Sequence, residues 1–181
     1  VARASTILFN TMQELQSHEI KVKKHKKISH YTYGRYGSTT TIELENILKE
    51  LEKAYHVFLT GTGFGGIVLA LMSLCRPGDE VLVSDNVYGP TKEITEKLLK
   101  EFNVNAKFYD PESFDDLKNK VTKKTKMIVV ENPGSITFEF QDLSKIVNLA
   151  KKKKIYTLLD NTWGTPLYLQ PLKLGFDMSF S

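Results

Sequence analysis

Two kinds of apolar segment alternate along the chain. Four short runs, VLVSD (81–85), AKFYD (106–110), MIVVEN (127–132) and IYTLLDN (155–161), are rich in apolar residues and end in an acid or an amide. Runs of this length and character predict strands buried on both faces. Between them, KEITEKLLKEF (92–102), DDLKNKV (115–121) and LSKIVNLAKKK (143–153) carry apolar residues at helical spacing, and a last strand begins near Phe176. This order predicts an α/β fold: a mostly parallel sheet with helices on both faces. Ligands bind such sheets at the carboxyl ends of the strands.

Upstream, Leu44, Ile47, Leu48 and Leu51 recur at helical spacing behind a Thr40/Glu43 capping pair, predicting an amphipathic helix from Thr40 to about Lys53. VFLT (57–60) reads as a short candidate strand, and GIVLALMSLC (66–75) is long enough to read as a buried helix. Residues 1–40 show no clean period and read as an extended arm followed by a loop. The expected division is an arm and helix over 1–53 that make oligomer contacts, then an α/β domain over 54–181. Because the sequence stops inside the apolar stretch DMSFS, that domain is expected to be incomplete at its C-terminal end.

Composition narrows the function classes. With 181 residues, 41% hydrophobic and 25% charged, the chain suits an ordinary globular core. Its net charge of +4 comes largely from KVKKHKK (21–27) and KKKK (151–154), which read as solvated faces, so no nucleic-acid partner is expected. The single cysteine, Cys75, excludes an intrachain disulfide and fits a reducing, cytoplasmic setting. The longest apolar run, IVLALMSLC (67–75), falls short of the roughly 20 residues a membrane helix needs. The four histidines show no metal-ligand spacing.

The glycine cluster GTGFGG satisfies G-x-G-x-x-G at Gly61, Gly63 and Gly66, and Asp85 follows at the distance of a dinucleotide fold's ribose-binding acid. The glycines and the following helix N-terminus suit a phosphate. They do not say which molecule carries it, and a pyridoxal phosphate would be cradled as well. The other strand ends separate the two. Asp160 closes an apolar run, where ionising without a partner is costly. An anion there can hold a proton on a pyridine nitrogen, which a nicotinamide ring does not require. Tyr88 is placed to lay an aromatic face on a planar ligand, and the strand before ENPGS (131–135) delivers further polar groups. The plain alternatives are an Asx turn at Asp160 and Asn161, a loop aromatic at Tyr88 and a solvated loop around Tyr33 and Arg35. Trp163 reads as packing.

The segments VARASTILF, YGRYG, TGFGG, GDEVLVSDNVYGPT, VVENPGSIT and LLDNTWGTPLYLQPLKLGFDMSFS cover essentially the whole chain. In this order they resemble the pyridoxal-phosphate enzymes of transsulfuration, the Cys/Met metabolism family, and ENPGSIT with YGRYG looks closest to its bacterial cystathionine β-lyases. The resemblance implies a fold-type I large domain with pyridoxal 5'-phosphate as cofactor. Asp160 would meet the pyridine nitrogen, Tyr88 would stack on the ring, and Gly63 and Phe64 would donate backbone N–H groups to the phosphate. Tyr33 and Arg35 would reach the phosphate and substrate of a neighbouring subunit, Tyr33 and Tyr88 acting in catalysis, and Ser135 would lie near the substrate carboxylate. The implied reaction is α,β-elimination of cystathionine to homocysteine, pyruvate and ammonia, in methionine biosynthesis, by a homo-oligomer or with a complementary C-terminal chain. In relatives the Schiff-base lysine follows shortly after the stretch matching DMSFS, so the 181 residues alone are expected to be inactive. Other readings are a cystathionine γ-synthase, a γ-lyase, a methionine γ-lyase, a non-catalytic fragment of a split or decayed gene, and a nucleotide-binding module built on GTGFGG.

Overall fold

The structure, a computed structural model, describes residues 5–25 and 32–181, with the backbone alone for 21–25. The chain divides into two compact units, Val1–Leu59 and Thr60–Ser181.

In the first unit, helix α1 spans Met12–His25 and α2 spans Thr39–Glu52, with a 3-10 turn over Gly34–Tyr36 between them. Helix α1 corrects the expectation of an extended arm. Its sequence, MQELQSHEIKVKKH, is built largely from intrinsic helix formers without a continuous apolar stripe, so propensity rather than periodicity carries it. Its start is fixed locally: Thr11 Oγ1 accepts the Glu14 N–H at 3.1 Å, and Glu14 Oε2 accepts the Asn10 N–H at 3.0 Å. The cap of α2 also lies upstream of the expected one. Ser38 Oγ accepts the Thr41 N–H and Thr41 Oγ1 accepts the Ser38 N–H, a capping box that a second hydroxyl closes as well as a glutamate would. The stripe of Leu44, Ile47 and Leu51 is exposed. Residues 1–4 of VARASTILF and residues 26–31, which include the end of the first basic cluster, lie outside the described residues.

In the second unit the elements are α3 (Gly63–Leu74), β1 (Glu80–Ser84), α4 (Gly89–Glu96), α5 (Leu98–Glu101), β2 (Asn105–Tyr109), α6 (Phe114–Lys120), β3 (Thr125–Glu131), α7 (Leu143–Lys153), β4 (Tyr156–Asp160), α8 (Thr165–Tyr168), α9 (Pro171–Leu174) and β5 (Met178–Phe180). The strands form one parallel sheet in the order β2-β1-β3-β4-β5. Alternation along each strand divides the core into two layers. Val81, Val83, Met127, Val129 and Leu158 pack with Ile67 and Leu71 of α3, Val87 and Leu99. Leu82, Ile128, Val130 and Leu159 pack on the other face with Leu117 of α6 and with Leu143, Ile146, Val147 and Ala150 of α7. Both faces are covered, which is why the strand sequences are nearly continuous in apolar residues.

Two expectations change here. Residues 57–60 form no strand, and Phe58 and Leu59 are exposed. Helix α3 buries only one edge: Ile67 and Leu71 are buried, whereas Leu69 is exposed. The KKKK run also has a structural place. Lys151, Lys152 and Lys153 occupy the last turn of α7, where cations oppose the negative end of the helix dipole, and Lys154 is its left-handed C-cap at φ 57°. No helix among the described residues is long and apolar enough to cross a membrane.

Candidate active site

The central strands deliver two acids side by side. Glu131 ends β3, Asp160 ends β4, and the two are register partners. By the two-residue period both project on the face that carries α3, in step with Val129 and Leu158. They are 3% and 8% exposed, and no ion pair reaches either among the described residues. Asp160 Oδ1 accepts the Thr162 N–H at 3.0 Å, closing the Asx turn that its Asp-Asn sequence allows. Burial raises its pKa above the usual carboxylate value, and the bonds to Thr162 oppose that rise. Glu131 Oε2 accepts the Tyr88 N–H at 2.6 Å. Burial pushes the Glu131 carboxyl up to about 7; the Tyr88 N–H draws it down, and the neighbouring Asp160 raises it further.

The chain leaves β1 toward β2 on one side and β3 toward β4 on the other, so the crevice between β1 and β3 is the topological switch point. Tyr88 sits there as the N-cap of α4, at φ −47° and ψ 134°, with its side chain 52% exposed. The α3 N-terminus borders the same end of the sheet, since an added Cβ at Gly66 would lie 4.0 Å from Phe180 Cβ and Phe180 pairs with Asp160. Thr62 caps this helix: its Oγ1 accepts the Gly65 N–H at 2.9 Å and its carbonyl accepts the Gly66 N–H at 3.2 Å. Helix geometry leaves the Gly63 and Phe64 N–H groups without intrahelical acceptors. A Cβ at Gly61 or Gly63 would meet nothing within 4 Å, so both glycines border open space.

A buried polar network supports the acids from the opposite face. Gln141 Nε2 donates to Ser84 Oγ at 2.9 Å and to the Glu131 carbonyl at 3.2 Å, while its Oε1 accepts the Tyr109 hydroxyl at 2.8 Å. The Ser84 hydroxyl in turn donates to Asn86 Oδ1. The loop after β3 is tied to the loop after β1, with Ser135 N–H donating to the Asn86 carbonyl at 2.8 Å. Ser135 is therefore brought to the strand ends, half-buried. Gly134 lies so close to Asn86 that an added Cβ would sit 2.5 Å from Asn86 Cγ. The Gly134→Ala variant is expected to lose about 1–3 kcal/mol of stability through this overlap, read as a lowered unfolding midpoint in urea. An unchanged midpoint would show that the two loops are not packed this way. Trp163 stands edge-on to Phe138 at 5.0 Å, and both residues are about half exposed.

Tyr33 and Arg35 belong to the first unit, not to this cluster. Both are exposed, and the Arg35 guanidinium lies 5.4 Å from the Tyr33 ring centroid and 5.5 Å from that of Tyr36. The structure departs from the dinucleotide pattern at two points. Among the described residues no strand precedes the glycine turn, and the Asp85 carboxylate is engaged by Lys92 in a close ion pair. Sequence reasoning missed Glu131 and Gln141. A signal for Glu131 was available, since an acid closing the apolar run MIVVE matches Asp160 closing YTLLD. Gln141 had none, because its role depends on a loop returning to the strand ends.

A buried carboxylate that no cation pairs among the described residues, a loop at the switch point that carries an exposed aromatic residue, and a helix N-terminus at the same end of the sheet suit a flat ring bearing a cationic nitrogen and a phosphate. Asp160, Tyr88, Gly63 and Phe64 are thus chemically suited to pyridoxal phosphate. The comparisons agree on the cofactor. Residues 1–181 match the family described as Cys/Met metabolism PLP-dependent enzyme. A Saccharomyces cerevisiae protein proposed to be a cystathionine β-lyase is 37% identical over 177 residues, 98% of this chain and 49% of that protein. Cystathionine β-lyase of Bordetella avium is 34% identical over 177 residues, 98% of this chain and 44% of that one. Among solved structures, a Campylobacter jejuni protein proposed to be an O-acetylhomoserine (thiol)-lyase, carrying N'-pyridoxyl-lysine-5'-monophosphate, superposes with a TM-score of 0.86. It is 26% identical and covers 99% of this chain and 44% of that one. The chain thus spans about half the length of the curated relatives it matches.

Proposed function

Because this chain belongs to the pyridoxal-phosphate-dependent enzymes of Cys/Met metabolism, we propose that it forms the cofactor-binding part of a carbon–sulfur lyase of the cystathionine β-lyase type. The observation that carries the reading is Asp160, a buried acid at a strand end that no cation pairs among the described residues. When bound, pyridoxal phosphate supplies an electron-withdrawing ring that takes up the electrons left when the substrate loses its Cα proton. Asp160 would hold a proton on the ring nitrogen, Tyr88 would cover one face of the ring, and the Gly63 and Phe64 N–H groups would bind the phosphate at the positive end of α3. Ser135 would meet the substrate carboxylate. Tyr33 and Arg35 would complete the site of a second copy in a homo-oligomer, the Arg35 fork donating paired hydrogen bonds to phosphate.

The proposed reaction takes cystathionine and water to homocysteine, pyruvate and ammonia. A reducing, cytoplasmic setting suits the single, buried Cys75, whose thiol burial pushes up to about 11. Because no lysine of these 181 residues matches the relatives' Schiff-base position, the chain alone is expected to be inactive, and the test incubates it together with its complementary C-terminal part, pyridoxal phosphate and cystathionine and assays both carbon products. Pyruvate and homocysteine in equal amounts support the reading. Cysteine with 2-oxobutyrate would move cleavage to the γ-carbon, and bound cofactor without either product pair would sink the lyase assignment.

A further inference from the structure

Glu131 is used neither by the family resemblance nor by the lyase chemistry, yet the structure sets it inside the site. It is 3% exposed at the last position of β3, and its carboxylate accepts the Tyr88 N–H at 2.6 Å across 43 residues of sequence. That bond crosses the switch point, joining the end of β3 to the loop after β1. Besides this bond, the Tyr88 carbonyl accepts the Lys92 N–H at 3.1 Å in the first turn of α4 and the neighbouring Val87 is buried, but the Tyr88 side chain is half exposed and caps nothing, so the Glu131 carboxylate is what joins the Tyr88 N–H to β3. A purely structural role would be served better by a neutral group, because an acid buried beside a second acid is unfavourable when charged. The charge gives the contact a property that an amide lacks. A cation meeting Asp160 also favours the ionised form of Glu131, and an ionised acceptor binds an N–H more strongly. The charged group facing Glu131 is Asp160 from β4; from α4 it meets the Tyr88 N–H, and the loop before α7 brings neutral Gln141 to its carbonyl.

We propose that Glu131 is a positioning residue that ties the Tyr88 backbone to the end of β3 and tightens its hold when a cationic ring nitrogen occupies Asp160. The inference rests on the assignment of Tyr88 to the ring face and of Asp160 to the ring nitrogen. It is tested by labelling the eight tyrosines of the protein with 15N and following the Tyr88 amide. In the cofactor-free protein this resonance moves through one step as pH passes about 7. Glu131→Gln abolishes the step but keeps the amide protected, whereas Glu131→Ala exposes it to solvent exchange at least about tenfold faster. Added pyridoxal phosphate moves the step to lower pH. A Tyr88 amide that shows no step and is unchanged in Glu131→Ala overturns the proposal. Cofactor binding, followed by visible absorbance in the same samples, separates the two readings. A step without any cofactor binding leaves the tie standing and overturns the cofactor-site reading with the tightening; binding without a step does the reverse.

Discussion

In the proposed lyase, with the chain joined to its complementary C-terminal part, replacing Asp160 with alanine or asparagine is expected to lower kcat for carbon–sulfur cleavage about a hundred- to a thousandfold, roughly 3–4 kcal/mol of transition-state stabilisation. Neither side chain can supply the negative charge proposed to keep a proton on the ring nitrogen, and the acids nearest in the strand ends are engaged. Glu131 is committed to the Tyr88 N–H, and Asp85 is held by Lys92. The same variants should leave the cofactor-free fold intact or slightly more stable. Asp160 is buried without a cation, and its hydrogen bond to Thr162 closes a local turn rather than joining distant elements. Steady-state kinetics beside thermal unfolding of the cofactor-free protein checks both halves. A kcat within a few-fold of wild type would remove Asp160 from the chemistry, and a large loss of stability would make its role structural.

How much of this was legible depends on whether each feature is written locally. Helix α7 matches the predicted segment residue for residue, since Asp142 caps it, its apolar residues face the sheet and lysines close it. The inner strands were equally readable, because Val81 to Val83 and Met127 to Val130 are buried on both faces and must be apolar throughout. Helix α1 was not, because a surface helix built from good helix formers leaves no stripe to detect. The 57–60 run misled in the opposite direction, offering apolar β-formers that pair with no strand among the described residues. In the site, Asp160 and Tyr88 could be read as a strand end and a loop aromatic. Their relation could not, because it passes through Glu131, whose partner is 43 residues away.

Glu131 also sets how stability depends on pH. Its folded pKa of about 7 lies above its ordinary value of 4.5, so the folded protein binds this proton more tightly than the unfolded chain. Unfolding therefore releases a proton between these two values, and stability falls as pH rises through that window. The full span corresponds to about 3 kcal/mol, present below the lower value and lost above the upper one. Burial raises Asp160 in the same direction, whereas hydrogen bonds to lysine or threonine side chains and backbone N–H groups lower Glu80, Asp116, Glu139 and Asp142, so these four act at more acid pH. Glu131→Gln keeps an acceptor for the Tyr88 N–H and cannot ionise. Thermal unfolding of the cofactor-free protein at about pH 5 and about pH 8 should therefore give a flatter profile for this variant, with nearly all of the gain at the higher pH. Parallel profiles for the variant and the wild type would mean that Glu131 titrates as an ordinary carboxylate and that its burial beside Asp160 carries no electrostatic cost.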